Sequence, residues 1–448
     1  MSPVSRGDTI GREGHAGEAS SGAAGIRLTG PGSALEEARV RVIGLRDGAV
    51  RLKALLDRPL ASYYLVLGCG LLLLAVGLMM VLSTSTAYDI DQQLPTYSMF
   101  DKQILGALAG LALMWLAAKA PPRVFRGLAY PLLLISLLGL VLVLMFGNVD
   151  DGVKRWLTVG GMQVQPSELA KLALVLWGAD LLARKEKLGQ LTDWRHLLVP
   201  LLPGAAVMCL LVMMGQDLGT TFLLIVIFLS LLWIIGTPGR LLFGMIALMA
   251  FVLLMLIVVQ PWRLERLDGF LSSRDAANCL SCYQLVEGKD ALGSGGWFGV
   301  GLGASKAKWG WVPNSPTDFI FSILGEELGL VGTICVIALY GGLAFAGLRI
   351  ARRVPDTFSR LAAGSVTVWL IVQAMVNIGA VLGLLPITGV PLPLISAGVS
   401  SLIVTLASLG MLMSFARAEP GAARALAAAG PAAPRRLLRW LGLEQRPP

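Results

Sequence analysis

Three carboxylates, Asp318, Glu326 and Glu327, stand at the start of a long apolar stretch, within Pro313-Asn-Ser-Pro-Thr-Asp-Phe-Ile-Phe-Ser-Ile-Leu-Gly-Glu-Glu-Leu-Gly329. An acidic side chain inside a hydrocarbon layer costs about 2.5–3.5 kcal/mol at mid-helix on insertion scales, so a functional role is the first hypothesis for such a group. The chemistry open to carboxylates in this setting is proton transfer or charge pairing in a cavity.

Four more polar clusters interrupt apolar sequence. Gln165-Pro-Ser-Glu168 opens one apolar segment with Pro at a tolerated first-turn position, and Lys171 follows Glu168 three residues on, on the same helical face. The two can form an internal ion pair that fixes packing, or a charge pair lining a cavity. Just before them, Gly152-Val-Lys-Arg-Trp156 sets Lys154 and Arg155 beside an aromatic anchor, and a guanidinium there suits phosphate oxygens. In Gln216-Asp217-Leu-Gly-Thr220 the carboxylate reads first as a helix N-cap. Leu385-Pro-Ile-Thr-Gly-Val-Pro-Leu-Pro-Leu-Ile-Ser-Ala-Gly398 is apolar but broken by Pro and Gly; such backbone at membrane depth belongs to a pocket wall.

The elements that position these groups follow from composition. Of 448 residues, 55% are hydrophobic and only 15% charged, as expected of an integral membrane protein. Apolar runs long enough for a ~30 Å hydrocarbon core fall at roughly 63–82, 103–120, 128–147, 165–183, 197–214, 219–236, 241–259, 319–348, 361–385 and 397–416, which predicts an all-α fold of about ten transmembrane helices. Basic residues gather in alternate short connections: Lys119, Arg123 and Arg126; Arg184, Lys185, Lys187 and Arg195; Arg240; Arg349, Arg352, Arg353 and Arg360. That asymmetry places both termini in the cytoplasm and leaves one long extracytoplasmic loop, 260–318, between helices 7 and 8. The loop's own basic residues, including Lys289, Lys306 and Lys308, run against the charge rule, which long loops obey weakly. They are a solvated surface or one that attracts an anionic head group or pyrophosphate.

The domain organisation expected is a cytoplasmic N-terminal extension over 1–60, a membrane domain over 61–416 and a flexible cytoplasmic tail over 417–448. Composition suggests disorder for 1–33 and a basic helix on anionic lipid for Leu35 to Leu56. No secretory signal precedes the first span. Cys69, Cys209 and Cys335 fall in apolar runs as packing residues, whereas Cys279 and Cys282 form a C-x-x-C in the outer loop that reads as a local disulfide. Nothing matches a P-loop, and the glycines from Gly293 to Gly303 lack the strand–turn–helix context of a dinucleotide site, so no nucleotide is expected. They read instead as an interfacial loop with close backbone approach. Asp89-Ile-Asp91 reads as solvated loop.

The order G-x-x-R-W, Q-P-S-E-L-x-K, Q-D-L-G-T, T-D-F-I-F-S-I-L-G-E-E-L-G, Q-A-x-V-N-I-G and L-P-x-T-G-x-x-L-P-L-I-S-x-G closely resembles the SEDS proteins (shape, elongation, division and sporulation) over about 61–416. The resemblance implies a peptidoglycan glycosyltransferase that polymerises lipid II at the outer face of the bacterial cytoplasmic membrane, with the septum as its place of work. It also implies a class B penicillin-binding protein, a transpeptidase, as partner, with other divisome membrane proteins, a divalent cation (Mg or Mn), and no nucleic acid. By this resemblance Asp318 is the catalytic residue. Arg155, Lys171 and Lys308 are assigned to pyrophosphate or cavity electrostatics, and Glu168, Asp217 and Glu327 to structural or cavity roles. Ser396-Ala-Gly-Val-Ser400, Lys308-Trp-Gly-Trp-Val-Pro313 and the N-terminal extension look more like the cell-division branch than the elongation branch. The chain departs from the family pattern at Asn314-Ser-Pro316, where a histidine is usual, and at Val399, where Gly is common. A lipid II flippase and a non-catalytic divisome scaffold are the competing expectations.

Overall fold

The computed structural model describes residues 60–95, 97–150, 153–160, 162–189, 198–258 and 280–422. The expectations for 1–59, for the tail from 423 and for Cys279 lie outside the described residues. Every apolar stretch read from the sequence contains a helix: α1 Ala61–Asp91, α2 Ser98–Lys119, α3 Pro122–Phe146, α4 Pro166–Lys187, α5 Leu201–Met214, α6 Leu218–Ile235, α7 Gly239–Val258, then, after α8 Leu280–Ser294, α9 Ile320–Arg353, α10 Thr357–Val381 and α11 Val399–Ala416. Among the described residues 8 helices are long and apolar enough to cross a membrane. Helix α4 falls outside that set because its 22 residues carry Glu168, Lys171, Asp180 and Arg184, and α5 because 14 residues span only about 21 Å.

Small residues bring the helices together. Helix α11 lies against α2 where Gly410 approaches the Met114 carbonyl so closely that an added Cβ would sit 2.3 Å from it. Gly77 of α1 meets the Leu394 carbonyl in the same manner, at 2.2 Å. Backbone-to-backbone approach of this kind is how helices associate where no water drives them together. Helix α7 is the opposite case, contributing only Met245 to the interior. Between it, α5 and α6 is an apolar cavity of ≈ 310 Å³ lined by residues such as Cys209, Phe228 and Met249.

Three features are absent from the apolar-run reading. The first is a small antiparallel sheet of order β1-β2-β3, built from Asn148–Asp150, Val153–Val159 and Met162–Val164. The second is α8 inside the long outer loop. The third is a break in α9 at Gly329, whose φ of 68° and ψ of −167° leave the helical region. The break frees carbonyls and N–H groups that the glycine-rich segment satisfies: Val300 and Gly301 N–H donate to Glu326 O and Glu327 O, while Leu330 and Val331 N–H donate to Gly296 O and Trp297 O. The close backbone approach read from those glycines is therefore real; a Cβ at Gly299 would lie 2.1 Å from Glu327 O.

Candidate active site

The segments assigned to the outer side meet one another, and so do those assigned to the inner side. At the inner end Asp180 pairs with Arg126 at 2.5 Å and Arg184 at 2.8 Å, and Glu186 with Arg360 at 3.1 Å. At the outer end strand β2 is tied to the α5–α6 turn by the Lys154 N–H donating to Gly215 O at 3.1 Å. Side chains alternate along a strand. Lys154 Nζ thus turns to Leu144 O at 3.4 Å, and Arg155 turns the other way, its Nε 3.7 Å from Asp217 Oδ2.

Asp217 is the N-cap of α6, as its place before Leu-Gly-Thr predicts: it accepts from the Thr220 N–H at 3.0 Å and the Thr220 hydroxyl at 2.7 Å. Gln165 Nε2 reaches it at 3.5 Å. The same carboxylate therefore starts a helix and orients a guanidinium. The remainder of that guanidinium faces the broken segment after α10. A Cβ placed on Gly389 would lie 3.4 Å from Arg155 Nη1, 3.7 Å from Nη2 and 3.7 Å from Asp318 Oδ2. Gly389, at φ 67°, thus lies within van der Waals reach of both the Asp318 carboxylate and the Arg155 guanidinium. A cavity of ≈ 10 Å³, room for about one water, adjoins Arg155, Ser167 and Asp217. Arg155 Nε and Ser167 Oγ beside it are buried without hydrogen bonds among the described residues.

The backbone carrying Asp318 is held from three sides. Asn377 Nδ2 on α10 donates to Asp318 O at 2.9 Å and to Val390 O at 2.8 Å. Ser396 Oγ donates to Thr317 O at 2.6 Å, and the Ala397 N–H to Pro316 O at 2.9 Å. The departure at Asn314-Ser-Pro316 forms a turn, Asn314 taking φ 55° and accepting from the Thr317 and Phe319 N–H groups. Asparagine tolerates that left-handed conformation better than most residues.

Beneath this site is a buried pair. Lys171 Nζ is 2.8 Å from Glu168 Oε1 and both side chains are almost fully enclosed, at 1% and 2% exposure. Lys171 also donates to Gln373 Oε1 at 3.1 Å, and Gln373 Nε2 donates to Pro391 O at 2.9 Å. Gln373 and Asn377, four apart on α10, thus anchor successive carbonyls of the broken segment. Neither stood out in the sequence beyond its motif; amides at helical spacing in an apolar run were the available signal.

Lys308 belongs to a second polar cluster. Its ammonium, expected to serve pyrophosphate or cavity electrostatics, is enclosed by Ser83 Oγ at 2.9 Å, Gly303 O at 2.7 Å and Glu327 Oε1 at 3.4 Å. Ser83 donates to that same Glu327 oxygen at 2.6 Å, so the trio links α1, the outer loop and α9. Glu326 accepts from the Lys306 and Ala307 N–H groups, shaping the turn that carries Lys308. Asp89, expected in solvated loop, is instead fully buried in α1 and accepts from the Met99 N–H at 3.3 Å; Asp91 remains exposed. Cys282 is disulfide-bonded, while Cys69, Cys209 and Cys335 are free.

Fold and site together define a multi-pass helical membrane protein with a carboxylate and a guanidinium gathered at one end of the bundle by broken backbone. Residues 63–420 match the FtsW/RodA/SpoVE family of cell cycle proteins, and the chain belongs to that family. It is 40% identical over 391 residues to the probable peptidoglycan glycosyltransferase FtsW of Mycobacterium tuberculosis, covering 87% of this chain and 74% of that protein. It is 34% identical over 352 residues to the stage V sporulation protein E of Bacillus subtilis, covering 78% and 94%. Among solved structures, a chain from a study of polymerization and crosslinking by a peptidoglycan synthase complex superposes with TM-score 0.65 at 30% identity, covering 79% of this chain and 96% of that one. The Thermus thermophilus rod shape determining protein RodA superposes with TM-score 0.58 at 28% identity, covering 81% and 98%.

Proposed function

We propose that the chain is the peptidoglycan polymerase of cell division, transferring glycan from lipid II to a growing strand at the outer face of the cytoplasmic membrane. The observation that carries the chemistry is that the Asp318 carboxylate and the Arg155 guanidinium both lie beside Gly389. Glycosyl transfer from a lipid diphosphate needs both. The acceptor sugar hydroxyl attacks the donor's anomeric carbon and surrenders its proton to a base, while the bond to the diphosphate oxygen breaks and negative charge collects on the leaving group. Asp318 is assigned the base and Arg155 the diphosphate, with Asp217 holding Arg155 in place. Glu168 and Lys171 hold the broken segment from below through Gln373.

A class B penicillin-binding protein is the proposed partner; the superposition on a chain from a peptidoglycan synthase complex supports it. The septum as location rests on the similarity to division proteins. A divalent cation, Mg or Mn, is proposed as well. Among the described residues no three His, Cys, Asp or Glu side chains gather to hold one. Magnesium is commonly held by one or two carboxylates together with substrate phosphates, and Asp318 is the ligand this chain would offer beside a bound diphosphate. Such an ion would offset charge on the departing phosphate.

The test is glycan-strand formation from purified lipid II by the chain in lipid nanodiscs with its partner. Polymer from the native chain and none from folded Asp318→Asn supports the reading. Polymer from both variants refutes the assignment of the base, and none from either, with lipid II bound, turns the reading toward transport or scaffolding.

A further inference from the structure

The glycine-rich segment before Lys308 is tied down by its backbone yet holds its large side chains in the open. Trp297, Phe298, Val300 and Leu302 are 70%, 84%, 47% and 57% exposed, and the stretch from Gly293 to Gly303 carries no charged residue. A floppy loop would fold such groups away. Here they cannot retract, because the backbone completes the hydrogen bonding of the break in α9.

What lies beside them identifies the medium. The Val331 N–H donates to Trp297 O, and Leu330 and Val331 begin a stripe of exposed apolar residues on α9 that continues through Ile334, Ile337 and Phe345. That spacing is one helical face, and on a membrane span an exposed apolar face meets lipid. From the break to Arg353 the helix is about 36 Å long at ~1.5 Å per residue, enough to cross a ~30 Å core, so Leu330 falls at its outer boundary. Trp297 and Phe298 prolong the lipid-facing stripe just there, at the level where amphipathic aromatic rings settle.

We propose that Trp297 to Leu302 is a rigid interfacial anchor seated in the outer leaflet, its occupant lipid and not a protein partner. The same backbone supplies Gly303 O to Lys308 and leads into the turn around Glu326. The anchor therefore sets the height of the 305–318 loop, and with it Asp318, against the bilayer surface.

The test is a nitroxide placed by Phe298→Cys in a full-length chain with Cys69, Cys209 and Cys335 replaced by Ala, reconstituted without partner in nanodiscs of phosphatidylethanolamine and phosphatidylglycerol. Leu302→Cys repeats the measurement, and Asp290→Cys at an exposed position of α8 is the water-facing reference. The expected result is severalfold greater collision with oxygen than with a water-soluble nickel chelate at 298 and 302, reversed at 290. Nickel accessibility at 298 and 302 equal to that at 290 overturns the anchor. Shielding that appears only after the cross-linking partner is added assigns the patch to protein and overturns it equally.

Discussion

Arg155 Nε faces Asp217 Oδ2 at 3.7 Å, and its Nη1 and Nη2 lie beside Gly389, which the Asp318 carboxylate also adjoins. One guanidinium thus joins the cap of α6 to the segment around Gly389. That placing of one side chain against both a helix cap and the Gly389 segment is central to the proposed function, and substitutions at Gly389 and Asp217 probe it.

Gly389→Ala crowds this meeting point. The added methyl meets both the Arg155 and Asp318 side chains, and the left-handed backbone costs about 1–2 kcal/mol for a residue with a Cβ. Lipid II turnover is expected to fall at least tenfold, with a modest drop in melting temperature; unchanged turnover would show that the reaction site is not beside Gly389.

Asp217→Ala removes a cap and an anchor together. Loss of an N-cap costs about 0.5–2 kcal/mol. Asp217→Asn keeps the capping oxygen but not the charge opposite Arg155. The Asn variant is thus expected to melt near the native chain yet show a raised KM for lipid II, whereas Ala loses both; thermal unfolding and steady-state kinetics separate them.

Either partner of the Glu168–Lys171 pair, left alone, is a buried uncompensated charge. Lys171→Met or Glu168→Gln is expected to destabilise by about 3–5 kcal/mol, and the double substitution to recover a good part of it. Melting of the four chains in one detergent checks this. Additive losses would mean that the two side chains act independently.

The Lys308–Glu327 pair is buried in the same way. Lys308→Met is expected to lower the melting temperature through Glu327, and Lys308→Met with Glu327→Gln to restore it, leaving KM for lipid II within about twofold. A severalfold rise in KM in the restored double variant would return Lys308 to the diphosphate.

Much of this was legible beforehand for a physical reason. Long apolar runs are the length of the bilayer, and a carboxylate such as Asp318 or Glu168 beside one is costly enough to stand out. The cap at Asp217 needed only its neighbours to Thr220. The rest depended on contacts remote in sequence. Ser83 lies 225 residues from Lys308, so the enclosure of that ammonium could not be foreseen. Strands of 3 residues carry too little alternation to read, and Gly329 looks like any glycine in an apolar helix until Val300 and Gly301 are seen bonded across the break. Asp89 was misplaced because its polarity suggested solvent, whereas it caps the start of α2 from a buried position.

The most direct test of Asp318 as the base compares Asp318→Asn with Arg155→Ala for both lipid II affinity and polymerisation rate in the partner complex. Asp318→Asn is predicted to bind lipid II as the native chain does while turnover falls by about 10²–10⁴-fold, the range for loss of a general base; Arg155→Ala is predicted to lose affinity and rate together. Full polymerisation by a folded Asp318→Asn chain, or a loss of its binding equal to its loss of rate, would contradict the assignment.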